Sequence, residues 1–187
     1  IFTTPSHQQP LGITMSLQRR LALLKYAHEN ASWIIEDDYD SEFRYRGRPL
    51  PALAALDKVG RVLYVGTFSK SLFPSVRIGY VVVPEMLMDA FAKTRNIFGQ
   101  TSSAIVEEAL SNFMDDGCFA EHIRKMRRLY RDRRDILLNE LQKHCSNNLT
   151  PQKTDAGMHI IADIKNGTSD RLVHLELLKS GIDSLPL

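Results

Sequence analysis

Gly66-Thr67-Phe68-Ser69-Lys70-Ser71-Leu72-Phe73-Pro74-Ser75-Val76-Arg77 is the stretch that decides the fold. Val62-Leu63-Tyr64-Val65 precedes it and Ile78-Gly79-Tyr80-Val81-Val82-Val83 follows it, and each apolar run reads as a buried strand. A lysine therefore sits in a loop between two strands, flanked by hydroxyls, with an arginine seven residues later. In a partly dry site a lysine loses proton affinity and becomes an amine nucleophile, as a Schiff base with an aldehyde requires. The Thr67 and Ser69 hydroxyls and the Arg77 guanidinium suit a phosphate, because arginine reads phosphate oxygens through two parallel hydrogen bonds. Taken alone, Lys70 is an ordinary exposed loop lysine. The combination carries the reading.

Upstream, Trp33-Ile34-Ile35 reads as a further buried strand that ends in Glu36-Asp37-Asp38-Tyr39-Asp40, so this strand end faces a site. Side chains alternate along a strand, which delivers one of Asp37 and Asp38 to that site and turns the other away. Asp37, 33 residues before Lys70, is the candidate to face a pyridine nitrogen and keep it protonated. Tyr39 is placed to donate to a phenolate oxygen. By itself the acidic cluster reads as a solvated turn, and without glycine or EF-hand spacing it is weak evidence for a metal. A lysine, a carboxylate and a phosphate-binding arginine together describe a pyridoxal phosphate site.

The surrounding pattern is α/β. Ser16 caps a helix with Leu17, Leu21, Leu24 and Ala27 at helical spacing, and the turn stretch Pro5 to Gly12 precedes it. A short helix is predicted around Ala52 to Leu56, and a helix from Pro84 to about Thr94. Alternating strands and helices up to about residue 95 imply a layer of mostly parallel strands. Further on, the pattern predicts a helix over Thr101 to Asp116, stopped by Gly117. A long helix from about Phe119 to His144 follows, with Phe119, Ile123, Met126, Tyr130, Leu137 and Leu141 as its buried stripe. Met158 to Ile164 alternates as a strand and Thr168 to Ser180 reads as a last helix. The division expected is residues 1–100 as the second half of a large α/β domain and 101–187 as linking helices with the start of a small α+β domain.

Composition narrows the function classes. The chain has 187 residues, 24 Lys+Arg against 22 Asp+Glu and a net charge of +2, so no global charge drives it to nucleic acid. No apolar run approaches a bilayer span, and the N-terminal residues lack a signal-peptide pattern. Two cysteines, Cys118 and Cys145, make no disulfide framework, and a cytoplasmic setting is expected. The basic run Arg124, Lys125, Arg127, Arg128, Arg131, Arg133 and Arg134, broken by Asp132 and Asp135, reads as a solvated helix face. The scattered histidines show no zinc spacing, so no metal is expected.

Four blocks carry a family resemblance: TPSHQQPLG (4–12), IIEDDYDSEFRY (34–45), GTFSKSLFPSVRIGY (66–80) and HIRKMRRLYRDRRD (122–135). In order and spacing they resemble the aminotransferase-like domain of MocR-type regulators of the GntR superfamily, which join a winged-helix DNA-binding domain to a fold-type I pyridoxal-phosphate domain. The resemblance implies the aminotransferase class I/II fold, with pyridoxal 5'-phosphate covalently held at Lys70 in the full-length protein. It assigns the ring nitrogen to Asp37, the phenolate to Tyr39, and the phosphate to Thr67 and Arg77 with help from Ser69. No asparagine stands in the loop of His7 and Gln8 where free aminotransferases carry a ring-contacting one, and neither residue takes a role. The chain reads as a piece of a larger protein, with the winged helix and the cofactor-stacking loop upstream and the carboxylate-gripping arginine downstream. A piece of this kind is expected to be inactive by itself. The regulator reading implies a small amine or amino-acid effector, DNA contact only through the upstream domain, no membrane partner, and a homodimer of the full-length protein. A free-standing class I aminotransferase using the same residues is the alternative, and a cofactor-free α/β piece a third.

Overall fold

The computed structural model describes residues 1–98 and 102–187. Four strands form one sheet in the order β1 (Phe2–Thr3), β2 (Ile34–Asp38), β3 (Val62–Thr67), β4 (Gly79–Val82). The first three are parallel and β4 runs antiparallel to β3, in keeping with the expected layer of mostly parallel strands. The reason is the connection. A parallel return needs a long crossover, whereas residues 68–78 turn back directly through a short helix and a 3-10 turn at Pro74–Val76.

Helix α1 (Leu17–Glu29) starts where Ser16 Oγ accepts the Arg19 amide, and α2 is the single turn Leu53–Leu56. Both pack on one face of the sheet around Ala27, Ile34, Leu53 and Val62, with Leu23, Leu24 and Ala54 at the margin. The inward face of α1 is thus Arg20, Leu23, Leu24 and Ala27, while Leu17 and Leu21 are exposed, contrary to the apolar spacing. Arg20 wins that position because three backbone carbonyls receive its guanidinium: those of Met15, Pro51 and Pro5. A buried arginine with satisfied donors is compatible with a core that an unsatisfied one would disrupt.

Short helix α3 (Phe68–Ser71) lies inside the stretch read as loop, and a 3-10 turn at Glu85–Leu87 precedes α4 (Met88–Phe98). Helix α5 spans Ala104–Asp115; its expected start at Thr101, and the expected division at 100/101, lie outside the described residues. Gly117 takes φ 75° between α5 and α6 (Cys118–His144), a left-handed conformation that suits glycine. On α6 the buried positions are Ile123 and Arg134, and Leu137 is exposed, so the expected stripe is corrected at that position. Arg134 leaves the solvated face because its guanidinium lies over the Tyr45 ring and donates to the Thr154 carbonyl. Strand β5 (Leu149–Pro151) pairs antiparallel with β6 (Ala162–Ile164), which is shorter than the predicted Met158–Ile164, and α7 spans Asp170–Lys179. Backbone pairing of Arg44 with Ala156 ties this C-terminal part to the loop that follows β2.

Candidate functional site

The acidic strand end sorts itself by the two-residue repeat of a β-strand. Ile34, Glu36 and Asp38 face the helices; Ile35 and Asp37 face the other side. Glu36, fully buried, accepts the Leu53 and Ala54 amides at 2.8 Å each and so caps α2, with Arg20 at 3.9 Å. Asp38 Oδ2 accepts from Tyr64 Oη at 2.7 Å and Ser41 Oγ at 2.8 Å. Burial and the bond to Asp38 hold the Tyr64 phenol well above its ordinary range. Two of the three carboxylates are therefore structural.

Asp37 differs. It is half-buried, and its carboxyl is pushed up, first by burial and then by the charges of Asp38 and Asp40, with no donor offsetting them. Its register partner on β3 is Val65, and two residues on, Thr67 lies on the same face. Asp37 and Thr67 thus share the face turned from α1 and α2, at the C-terminal ends of neighbouring parallel strands, where open α/β sheets hold ligands.

Thr67 also caps α3. Its Oγ1 accepts the Ser69 amide at 3.1 Å and donates to the Ile78 carbonyl at 3.3 Å. This turn sets Ser69, half-buried, and Lys70, exposed, immediately beyond the strand end. Arg77 follows the 3-10 turn with φ 48°, a strained left-handed conformation for a non-glycine residue. Lys70 and Arg77 enter none of the ion pairs among the described residues. The geometry therefore brings Asp37 and Thr67 to one face and Ser69, Lys70 and Arg77 to the turn beside it, without joining Lys70 or Arg77 to Asp37 in an ion pair.

Tyr39 is placed by residues that the sequence left without a role. Its hydroxyl donates to the His7 carbonyl at 2.8 Å, and burial together with Asp40, Asp37 and Asp38 raises its pKa far above the ordinary phenol value. His7 is buried, with Nδ1 2.8 Å from Asp40 Oδ2, also buried. The ring packs 4.5 Å from that of His159, and His159 Nε2 lies 3.0 Å from the Pro10 carbonyl. Gly157 makes this approach possible: a Cβ there would overlap the His7 ring, and its φ is +85°. Tyr45 Oη donates to the Gly157 carbonyl at 2.9 Å, and burial pushes its pKa up to about 12 against the opposing Arg134 charge. A histidine in a turn stretch has no periodicity to mark it as buried. In the sequence only Gly157, directly before the predicted strand Met158 to Ile164, marks a place where backbone comes close.

These residues fit pyridoxal phosphate. A carboxyl raised by uncompensated burial and like charge gains from a protonated pyridine nitrogen, and an unpaired lysine and arginine stand one turn away. Among the described residues no helix is long and apolar enough to cross a membrane, and no group of metal-ligating side chains is assembled.

The fold is that of the pyridoxal-phosphate-dependent transferases, a mixed α/β sheet with a smaller part following the long helix. The chain belongs to the aminotransferase class I and II family, which it matches over residues 1–182. It is 44% identical over 187 residues to "Probable rhizopine catabolism regulatory protein MocR" of Rhizobium meliloti, covering all of this chain and 38% of that protein. It is 38% identical over 161 residues to the pyridoxine biosynthesis transcriptional regulator PdxR of Corynebacterium glutamicum, covering 86% of this chain and 35% of that one. Among solved structures, the Pyrococcus horikoshii kynurenine aminotransferase, complexed with PMP, superposes with a TM-score of 0.88 at 31% identity, over 99% of this chain and 46% of its own. The chain spans less than half the length of the relatives it matches.

Proposed function

We propose that this chain is the effector- and cofactor-sensing part of a MocR-type transcriptional regulator, with pyridoxal phosphate held by Lys70. The observation that carries the cofactor reading is the split of the acidic strand end: Asp38 is tied to Tyr64 and Ser41, while Asp37 turns to the open face beside Thr67 without a donor. When bound, pyridoxal phosphate supplies an aldehyde open to primary amines and a ring that withdraws electrons. Lys70 offers the amine that holds the aldehyde. Asp37 keeps a proton on the ring nitrogen. Tyr39, whose hydroxyl donates to the His7 carbonyl, would donate to the ring oxygen. Thr67 shapes the turn by taking the Ser69 amide on its Oγ1, which leaves the Ser69 hydroxyl for the phosphate, and Arg77 supplies charge for it.

An amine or amino-acid effector recognised at this site would bind one conformation better than the other, and DNA affinity would follow by linkage. DNA contact belongs to a winged-helix domain joined to this part, and homodimerisation to the full-length protein. The regulator reading over a free aminotransferase rests on 44% identity to the MocR protein against 31% to the kynurenine aminotransferase. The division into a large-domain portion and a small-domain portion near residue 100 belongs to the same proposal.

The test uses the full-length protein. Its visible absorbance band from lysine-bound cofactor should vanish in Lys70→Ala, and a panel of amines should change its affinity for its own promoter only in wild type. Rapid transamination of amino acids with no effect of any amine on DNA binding would instead identify an enzyme.

A further inference from the structure

A cavity of about 280 Å3, lined by neither Lys70 nor Asp37, lies between loop 5–14 and residues 152–161. Arg44, Lys153, His159, His7, Thr14 and Asp155 are among its lining residues, two permanent cations against one carboxylate. Arg44 Nε is buried there and makes no hydrogen bond, and Arg44 joins none of the ion pairs among the described residues. His7 Nε2 is likewise buried and unpartnered, while Nδ1 of the same ring is held by Asp40. Buried polar atoms without partners are rare in folded proteins, because each forfeits its hydration with nothing in return. Here two of them border one polar space large enough for a small molecule.

The backbone explains why Arg44 cannot withdraw. Its main chain bridges to Ala156, and the Tyr45 and Arg46 amides both donate to the Asp155 carbonyl, so the residue is pinned where the two parts of the chain meet. A second, smaller cavity touches Arg44 from the side of Arg20 and Ser41, and Arg20 adds a further positive charge at that side. A guanidinium held in this way presents a planar fork suited to two oxygens of one anion.

We propose that this cavity binds a small oxyanion, a phosphate- or carboxylate-bearing molecule, clamped by Arg44 with Lys153 at the rim and His7 and His159 along the wall. None of these residues belongs to the proposed cofactor set, so the inference stands apart from that reading. Because the site lies where loop 5–14 and the loop that follows β2 meet residues 152–161, its ligand would fasten the C-terminal part to the loop that holds Tyr39.

Calorimetric titration of the full-length protein at constant ionic strength, with inorganic phosphate in one arm and acetate in the other, tests this. Saturable binding in either arm is expected, weakened tenfold or more in Arg44→Gln and several-fold in Lys153→Gln. Lys153 is exposed, so its variant will fold whatever becomes of Arg44→Gln. The same titration on Arg77→Gln separates this cavity from the phosphate place of the cofactor: retained binding is expected. Absence of saturable binding in both arms, meaning that water alone fills the space, overturns the proposal. So does phosphate binding that disappears with Arg77→Gln and survives Arg44→Gln and Lys153→Gln.

Discussion

Adjacent aspartates with the same side chain have opposite duties here, and substitution separates them. Asp38 accepts two hydroxyl hydrogen bonds in a buried setting, so Asp38→Asn should lower stability by about 1–3 kcal/mol, with or without cofactor. For Asp37 the sign depends on pH and on the ligand. Its raised pKa means that the folded, cofactor-free protein holds the proton more tightly than the unfolded chain. The penalty is absent when both states are protonated and is fully present at neutral pH, above the folded-state value. Asp37→Asn should therefore raise the thermal midpoint of the cofactor-free protein at pH 7 by roughly 1–3 °C. Near pH 3, at or below the ordinary aspartate value of about 3.9, most of that gain should be gone. With pyridoxal phosphate in the full-length protein the order reverses, and Asp37→Asn should lose the cofactor band while Asp38→Asn keeps it. Thermal melts at the two pH values and one absorbance spectrum for each variant decide it; equal spectra would mean the strand register is misread. Gly157→Ala puts a methyl into the His7 ring at a positive φ, and denaturant titration should show a loss of roughly 2–4 kcal/mol.

Short elements owe their place to single polar groups, and that explains both what was legible in the sequence and what was not. Strands β2 and β3 announce themselves as apolar runs with a polar end, and the SK…R turn with its upstream aspartate names the fold. Helix α2 is a single turn that would not persist alone, since the first turn of a helix is its costly part. It persists because Glu36 takes its first two free amides from beneath. Glu36→Gln leaves one acceptor oxygen where two were used, and a destabilisation of about 1–3 kcal/mol is expected in denaturant titration, with loss of the α2 amides' hydrogen-exchange protection. No spacing rule pairs residue 36 with residues 53 and 54, so this cap was invisible from the sequence. The same holds for α1 and α6. Periodicity counts leucines and treats arginine as solvent-facing, yet Arg20 and Arg134 occupy inward positions because carbonyls and an aromatic ring receive them. Strand β5, three residues long with a proline at its end, carries too few side chains to show alternation.

The distribution of apolar surface bears on how much of a binding site this stretch of chain can make alone. Phe2, Met88, Ile97, Phe98 and Ile105 are largely exposed, and Ile35 is 40% exposed on the sheet face that carries Asp37. Exposed apolar surface of this extent marks a face that another part or partner covers, and the relatives of this chain are more than twice its length. Covering that face would exclude water from Asp37 and Lys70, and burial of this kind lowers the proton affinity of a lysine while fixing its orientation. Lys70, exposed here, lacks that environment. Expressed by itself, the 187-residue stretch should therefore self-associate on gel filtration and show little visible absorbance after incubation with pyridoxal phosphate. The full-length protein should retain the cofactor through the same column at close to one equivalent per chain, and lose it in Lys70→Ala. A strong band in the isolated stretch, abolished by Lys70→Ala, would show that the strand ends of β2 and β3 suffice to hold the cofactor without cover.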